Sequence, residues 1–165
     1  MDVVTANQFS DDLSILFGDA SGGFENAMSL PICEQPQAIL VTDLDLDGVL
    51  DLVVRSDSED AVFVVRGLGA RSFEAPYEFV EAQGPGMVAH ADVDGDGFDD
   101  IVLSGAPLTV LISDRAGGYQ EPSYYLLNSN QILASDIDRD GMIDIVAPRS
   151  DPASILLNVW LDDWN

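Results

Sequence analysis

Three nonamers constrain this chain more than any other feature. "DLDLDGVLD" starts at Asp43, "DVDGDGFDD" at Asp92 and "DIDRDGMID" at Asp136, 49 and 44 residues apart. Each reads D-x-D-x-D-G-x-x-D and runs into an apolar, β-type stretch. A repeat at this period implies stacked copies of one supersecondary unit, so the chain is read unit by unit.

The repeat extends beyond the acids. A short apolar segment precedes each nonamer: "AILVTD", "MVAHAD" and "ILASD". The last Asp opens a second segment ("LDLVV", "DDIVL", "IDIVA"), and a third follows ("AVFVVRG", "LTVLISD", "SILLNVW"). A glycine-rich turn and an aromatic then lead to a fourth: "GARSF" ends at Phe73, and "GGYQ" contains Tyr119. The opening of the chain fits the same template from the ninth nonamer position onward. Asp2 stands where Asp51 stands, Phe24 where Phe73 stands, and both intervals are 22 residues. Near the end, Ser154-Ile155-Leu156 repeats Ser14-Ile15-Leu16, with Trp164 in the place of Phe24.

No stretch of ten or more residues has helical periodicity. Short strands at even spacing with Gly, Pro and Asn turns predict an all-β repeat architecture, and four strands per roughly 40 to 50 residues is the size of one β-propeller blade. The chain is read as one domain over 1–165, with repeats at about 1–37 (partial), 38–86, 87–130 and 131–165 (partial). Strands second to fourth of one unit, two whole units and strands first to third of a last make about three and a half repeats.

Composition narrows the partners. Thirty acids oppose six basic residues, all arginine, for a formal net charge of −24. Such a surface repels nucleic acid and anionic membrane and suits a calcium-rich or saline medium. No apolar run has membrane-spanning length, and the chain does not open on a signal peptide. A lone cysteine, Cys33, excludes a disulfide framework and a thiolate zinc cluster.

In the nonamer, side chains at positions 1, 3 and 5 converge on one point if the backbone curls, and Gly at position 6 permits the turn. The position-7 carbonyl can join them, and the Asp at position 9 closes the cage. That is a set of hard oxygens without His or Cys, which suits Ca²⁺ better than Mg²⁺. An EF-hand needs Glu at position 12 and flanking helices, but Val54, Leu103 and Ala147 stand there. Arg139, at position 4 of the third loop, is expected to point away from the ion and to lower the loop's charge.

The nonamers, taken together with "SILFGDASGGF" and "VFVVRGLGARSF", resemble the FG-GAP/VCBS repeat of integrin α-subunit propellers and bacterial secreted proteins. The resemblance implies a β-propeller of four-stranded antiparallel blades, with a calcium cage in the first hairpin of each. It implies three sites. Asp43, Asp45, Asp47, Asp51 and the Val49 carbonyl would form the first. Asp92, Asp94, Asp96, Asp100 and the Phe98 carbonyl would form the second. Asp136, Asp138, Asp140, Asp144 and the Met142 carbonyl would form the third. Asp2 would be the ninth-position ligand of a further, incomplete cage, and Asp99, at position 8, is not expected to be a ligand. Family propellers typically close with six or seven blades, so three and a half repeats imply either a piece of a larger propeller or closure by oligomerisation. The latter predicts a homodimer or small ring in which N-terminal strands of one copy meet C-terminal strands of another.

Catalysis is not expected. The one histidine, His90, aligns with Val41 and Ala134 on an inner strand and reads as packed or channel-lining, and no nucleophile elbow is present. Trp160, Trp164, Tyr124 and Tyr125 suggest either inter-blade core or a sugar-stacking platform. The expected function is a secreted or cell-surface, calcium-stabilised recognition or adhesion module with a protein or glycan partner. The alternatives are a lectin-like propeller or the accessory domain of a secreted hydrolase.

Overall fold

The computed structural model describes residues 1–81, 86–116 and 118–148 and the backbone of Ile155–Leu156. No helix occurs among them. β1 (Val3–Asn7), β2 (Asp12–Leu16) and β3 (Met28–Pro31) form the first sheet. β4 (Pro36–Thr42), β5 (Asp51–Ser56), β6 (Ala61–Val65) and, after the small ribbon β7 (Gly67–Gly69) and β8 (Ser72–Phe73), β9 (Tyr77–Glu81) form the second. β10 (Val88–Ala91), β11 (Asp100–Leu103), β12 (Leu108–Leu111) and β13 (Ser123–Tyr125) form the third, and β14 (Leu133–Ser135), β15 (Asp144–Val146) and β16 (Ile155–Leu156) the fourth. Every pairing is antiparallel between neighbours in the sheet order, and the expected four-strand unit is complete in the second and third sheets. The fourth strand expected of the last unit, and Ser154, Trp160 and Trp164, lie outside the described residues.

The glycine turn forms a secondary hairpin in all three units where it is described. Phe24 bridges Gly18, Phe73 pairs with Gly67, and Tyr119 bridges Ser113. In the first and third, an aspartate fixes the turn. Asp19 Oδ1 accepts the N–H groups of Ser21 and Gly23, and Asp114 Oδ1 those of Ala116 and Gly118.

The sheets share three cores, each between neighbours in chain order. Leu13 and Ile15 of the first sheet meet Leu52, Val54 and Val65 of the second. The other face of the second sheet, with Val53, Val62 and Val64, meets Ile101, Leu103 and Leu111 of the third. Val102, Leu108 and Val110 then meet Ile145 and Ala147 of the fourth. The period-2 alternation of a strand explains this double service, since successive side chains enter opposite interfaces. β5 is buried at all six positions, and Arg55 on it sends Nη1 across to the carbonyl of Ser104, just after β11. The first strands of the units run side by side, with β4 next to β10 and β10 next to β14, while β4 also borders β1.

Candidate metal-binding loops

Each nonamer is the connection of a β-hairpin closed by the same pair. Thr42 faces Asp51, Ala91 faces Asp100 and Ser135 faces Asp144. Strand pairing thus anchors position 9 directly, and the eight residues before it must fold back within the hairpin.

Two left-handed residues make that possible. At position 6, Gly48, Gly97 and Gly141 have φ of 87°, 92° and 94°, as the glycine pattern predicts. At position 4, Leu46, Gly95 and Arg139 have φ of 62°, 74° and 66°. Only one of these three is glycine, so the composition of the motif did not mark the position. The position-1 carboxylate ties the coil together. Asp43 accepts the N–H groups of Asp47 (3.0 Å) and Gly48 (2.9 Å), and Asp92 those of Asp96 and Gly97 (both 2.9 Å). Asp136 accepts that of Gly141 (3.1 Å). The position-5 carboxylates of Asp47, Asp96 and Asp140 accept the N–H groups of Val49, Phe98 and Met142.

The position-9 aspartates are almost fully buried, at 1%, 0% and 0% exposure for Asp51, Asp100 and Asp144. Their carboxylates act as clamps. Asp51 accepts Leu44 N–H at 2.9 Å and Gly67 N–H at 2.7 Å, and Asp100 accepts Val93 N–H and Ser113 N–H, both at 2.8 Å. Asp144 accepts Ile137 N–H at 2.8 Å. In Asp51 and Asp100 one oxygen holds position 2 of the loop, while the other holds the second residue past the third strand. Asp2 makes the second of these bonds, accepting Gly18 N–H at 2.8 Å, which places it structurally where Asp51 and Asp100 stand. Glycine at 67 answers a steric need as well. A Cβ there would lie 2.3 Å from the Leu50 carbonyl oxygen, so the loop packs directly on its backbone.

Three carboxylate clusters result. Oxygens of Asp43, Asp45 and Asp51, of Asp92, Asp94 and Asp96, and of Asp136, Asp138 and Asp144 each lie within 4.8 Å of one another. Two oxygens on one calcium shell, each about 2.4 Å from the ion, are at most about 5 Å apart, so each cluster fits a single sphere. Asp47 and Asp140 stand outside the clusters, engaged by Val49 and Met142, and Asp100 is held by Val93 and Ser113. Asp45 Oδ1 and Asp136 Oδ1 are buried without any hydrogen-bond donor. A buried carboxylate oxygen with no donor is costly unless a cation faces it, so the residues present fit a hard divalent ion.

The electrostatics agree. Burial raises the pKa of Asp51 and Asp100 above the usual carboxylate range, and burial together with the neighbouring Asp96 does the same to Asp94. Asp96 is held low, by the Phe98 N–H first and by Arg115. Arginine meets two of the loops from outside, Arg66 bonding Asp45 and Arg115 bonding Asp96. Those two contacts had no local sequence signal.

Asp99 turns away from the second cluster and bonds His90 Nδ1 at 2.6 Å. His90 is therefore not packed, since its side chain is 42% exposed. The pair borders a cleft of about 390 Å³ between the first two loops, with Leu46, Phe98 and Tyr119. Among the described residues, Tyr124 and Tyr125 do not share a platform. Tyr124 is exposed, whereas Tyr125, next along β13, packs on the third core. Tyr119 is edge-on to Phe79, with centroids 5.7 Å apart.

No curated protein matches this chain in sequence. Residues 43–103, which hold two of the three loops and the second-sheet strands between them, match the family model of the FG-GAP-like repeat. The matched stretch is thus similar to the family that the acidic loops and glycine turns of the sequence resemble.

Proposed function

We propose that the chain is a calcium-binding repeat module of the β-propeller type, which works by extracellular recognition of a protein or glycan partner and catalyses no reaction of its own. The observation that carries this reading is the recurrence of a three-carboxylate oxygen cluster in three hairpin loops, two of them with a buried oxygen that lacks a donor. In this reading Asp43, Asp45 and Asp51, Asp92, Asp94 and Asp96, and Asp136, Asp138 and Asp144 hold one ion each. The carbonyls of Val49, Phe98 and Met142 and the remaining loop aspartates complete the shells, directly or through water. The ions neutralise crowded carboxylates and stiffen the loop ends of the sheets, leaving the other surfaces for a partner. The repeat family and the anionic surface support an extracellular, calcium-rich setting.

Native mass spectrometry in calcium tests it by counting ions. Three are expected. Asp45→Ala, Asp94→Ala and Asp138→Ala should each lose one, and Asp99→Ala none. A chain that retains no calcium, or an Asp99→Ala variant that loses an ion when Asp94→Ala does not, would sink this assignment.

A further inference from the structure

The two seams between acidic loops are built from the same positions and filled differently. Between the second and third loops, Gly95 at position 4 receives Met142 at position 7, so closely that a Cβ on Gly95 would lie 3.0 Å from the Met142 Cε. Between the first and second loops the same two positions hold Leu46 and Phe98. Both line the cleft of about 390 Å³ that opens there. Its volume falls in the range of small-ligand sites, about 300–1,000 Å³.

The walls of this cleft are polar where the repeat is otherwise apolar. Thr42 stands where the next unit has Ala91. His90 stands where its neighbours have Val41 and Ala134, Asp99 where they have Leu50 and Ile143, and Tyr119 where the preceding units have Phe24 and Phe73. The fold is served by apolar groups at these positions elsewhere, so the exchanges need another reason. What they add is acceptors. Asp99 Oδ2 accepts from His90 Nδ1 at 2.6 Å, so that ring nitrogen carries a proton, and in the neutral ring Nε2 presents a lone pair. No hydrogen bond among the described residues engages Nε2, Asp99 Oδ1 or the hydroxyls of Thr42 and Tyr119. No basic or amide side chain lines the cleft. Its potential is negative. Burial, and then the carboxylates of Asp100, Asp99 and Asp51, push the Tyr119 hydroxyl up to about 12.

We infer that this cleft seats a primary ammonium group, carried by a lysine side chain of a protein partner or by a free amine. Acceptors on four separate segments suit a compact cation with three donors. A guanidinium fits less well, because its fork matches both oxygens of one carboxylate. Asp99 has one oxygen on His90, and Asp43 has both on the N–H groups of Asp47 and Gly48. The aromatic rings of Phe98 and Tyr119 attract a cation, and Leu46 offers apolar surface to its alkyl stem. With lysine as the source, the inference rests on the recognition reading above. The ammonium site itself rests on the cleft and needs no calcium.

His90 is the only histidine in the chain, so its ring protons are a single NMR reporter at the cleft. The probe is Nα-acetyl-lysine methylamide, titrated into the whole chain in saturating calcium, at fixed pH and about 0.15 M salt to screen diffuse attraction. A saturable one-site shift of the His90 signals is expected. The Nε-acetylated compound, which lacks the charge, should bind at least about tenfold more weakly, as should the lysine compound to Asp99→Asn. Tyr119→Phe should weaken binding a few fold. Binding of the lysine compound more tightly than n-butylammonium assigns the site to a partner's lysine, and the reverse assigns it to a free amine. Absence of a saturable shift overturns the inference. So does equal binding of the Nε-acetylated compound, unchanged binding by both variants, or tighter binding of the matching arginine compound. Native mass counts calcium separately. If the chain holds none, the calcium reading falls, and the same titration still decides the cleft.

Discussion

The early and late aspartates of each loop carry the same functional group in opposite surroundings. Asp43, Asp45, Asp92 and Asp94 are part-exposed members of the carboxylate clusters, whereas Asp51, Asp100 and Asp144 are almost fully buried and clamp backbone N–H groups far along the chain, Asp51 and Asp144 from within their clusters. The first arrangement is repulsive until a cation arrives. The second is satisfied by the fold, at the cost of burying charge. One motif therefore contains a ligand set that needs calcium and, at position 9, a strut that works without it, separate from the cluster in the second loop and part of it in the first and third.

Removing calcium presses hardest on that contrast. At free calcium about a hundred times the dissociation constant, three independent sites contribute about 8 kcal/mol, so excess chelator should lower the melting temperature by more than about ten degrees. Magnesium should restore little of the loss, because it demands tighter octahedral geometry. An unchanged melt in chelator would erase the distinction from the ligand side.

The strut is tested by Asp100→Ala. It leaves the buried N–H groups of Val93 and Ser113 without an acceptor, for a loss of about 3 kcal/mol by denaturant titration. The loss should persist in chelator, whereas that of Asp94→Ala should vanish there. If the Asp100→Ala effect also vanishes, position 9 is an ordinary ligand.

A smaller effect separates the two states by pH. Asp51, Asp94 and Asp100 have raised pKa values in the metal-free fold. A raised acid destabilises the fold while ionised, and protonation relieves that penalty as pH falls through the folded pKa. Asp12, Asp19, Asp96 and Asp114 have lowered values, and their contribution is lost only below about pH 4, the unfolded carboxylate range. As pH falls from neutrality toward the ordinary carboxylate range of about 4, the chelated chain should therefore melt at higher temperature, while the calcium-loaded chain, in which protons compete with the ion, should melt lower. Parallel slopes in a thermal scan series would refute this.

The least effect belongs to Arg115, which bonds Asp96 at the rim of the second cluster and is 60% exposed. Arg115→Ala removes a competing cation and should raise calcium affinity there by a few fold in calorimetry at low salt, less at high salt.

Much of this was legible in the chain. The nonamers predicted the hairpins, and the alternation of Val, Ile and Leu predicted strands buried on two faces. Asp2 was aligned with Asp51 by interval alone, and its bond to Gly18 has the geometry of the Asp51–Gly67 bond. The strut role was not legible, because it depends on backbone N–H groups 16 and 13 residues away, brought near by the register of a third strand. Nor was the left-handed turn at Leu46 and Arg139, where the loop imposes a conformation that neither side chain advertises. Of the two readings of His90, packed or channel-lining, the exposure of its side chain removes the first, for a related reason. Its neighbours in the alignment are apolar, but Asp99, an acid where the other loops have Leu50 and Ile143, draws it outward.

The three separate cores carry a consequence for how such a chain changes over generations. Each core is completed by two neighbouring sheets, and no side chain of the first core is needed by the third. An in-frame duplication or deletion of one unit, from the start of one nonamer to the start of the next, therefore adds or removes a single sheet, leaves the remaining cores intact and creates one new seam to be refitted. Genetic change in whole units is thus confined to one seam. A shift of a few residues inside a unit is not, because it pulls the ninth aspartate out of register with both of its backbone partners at once.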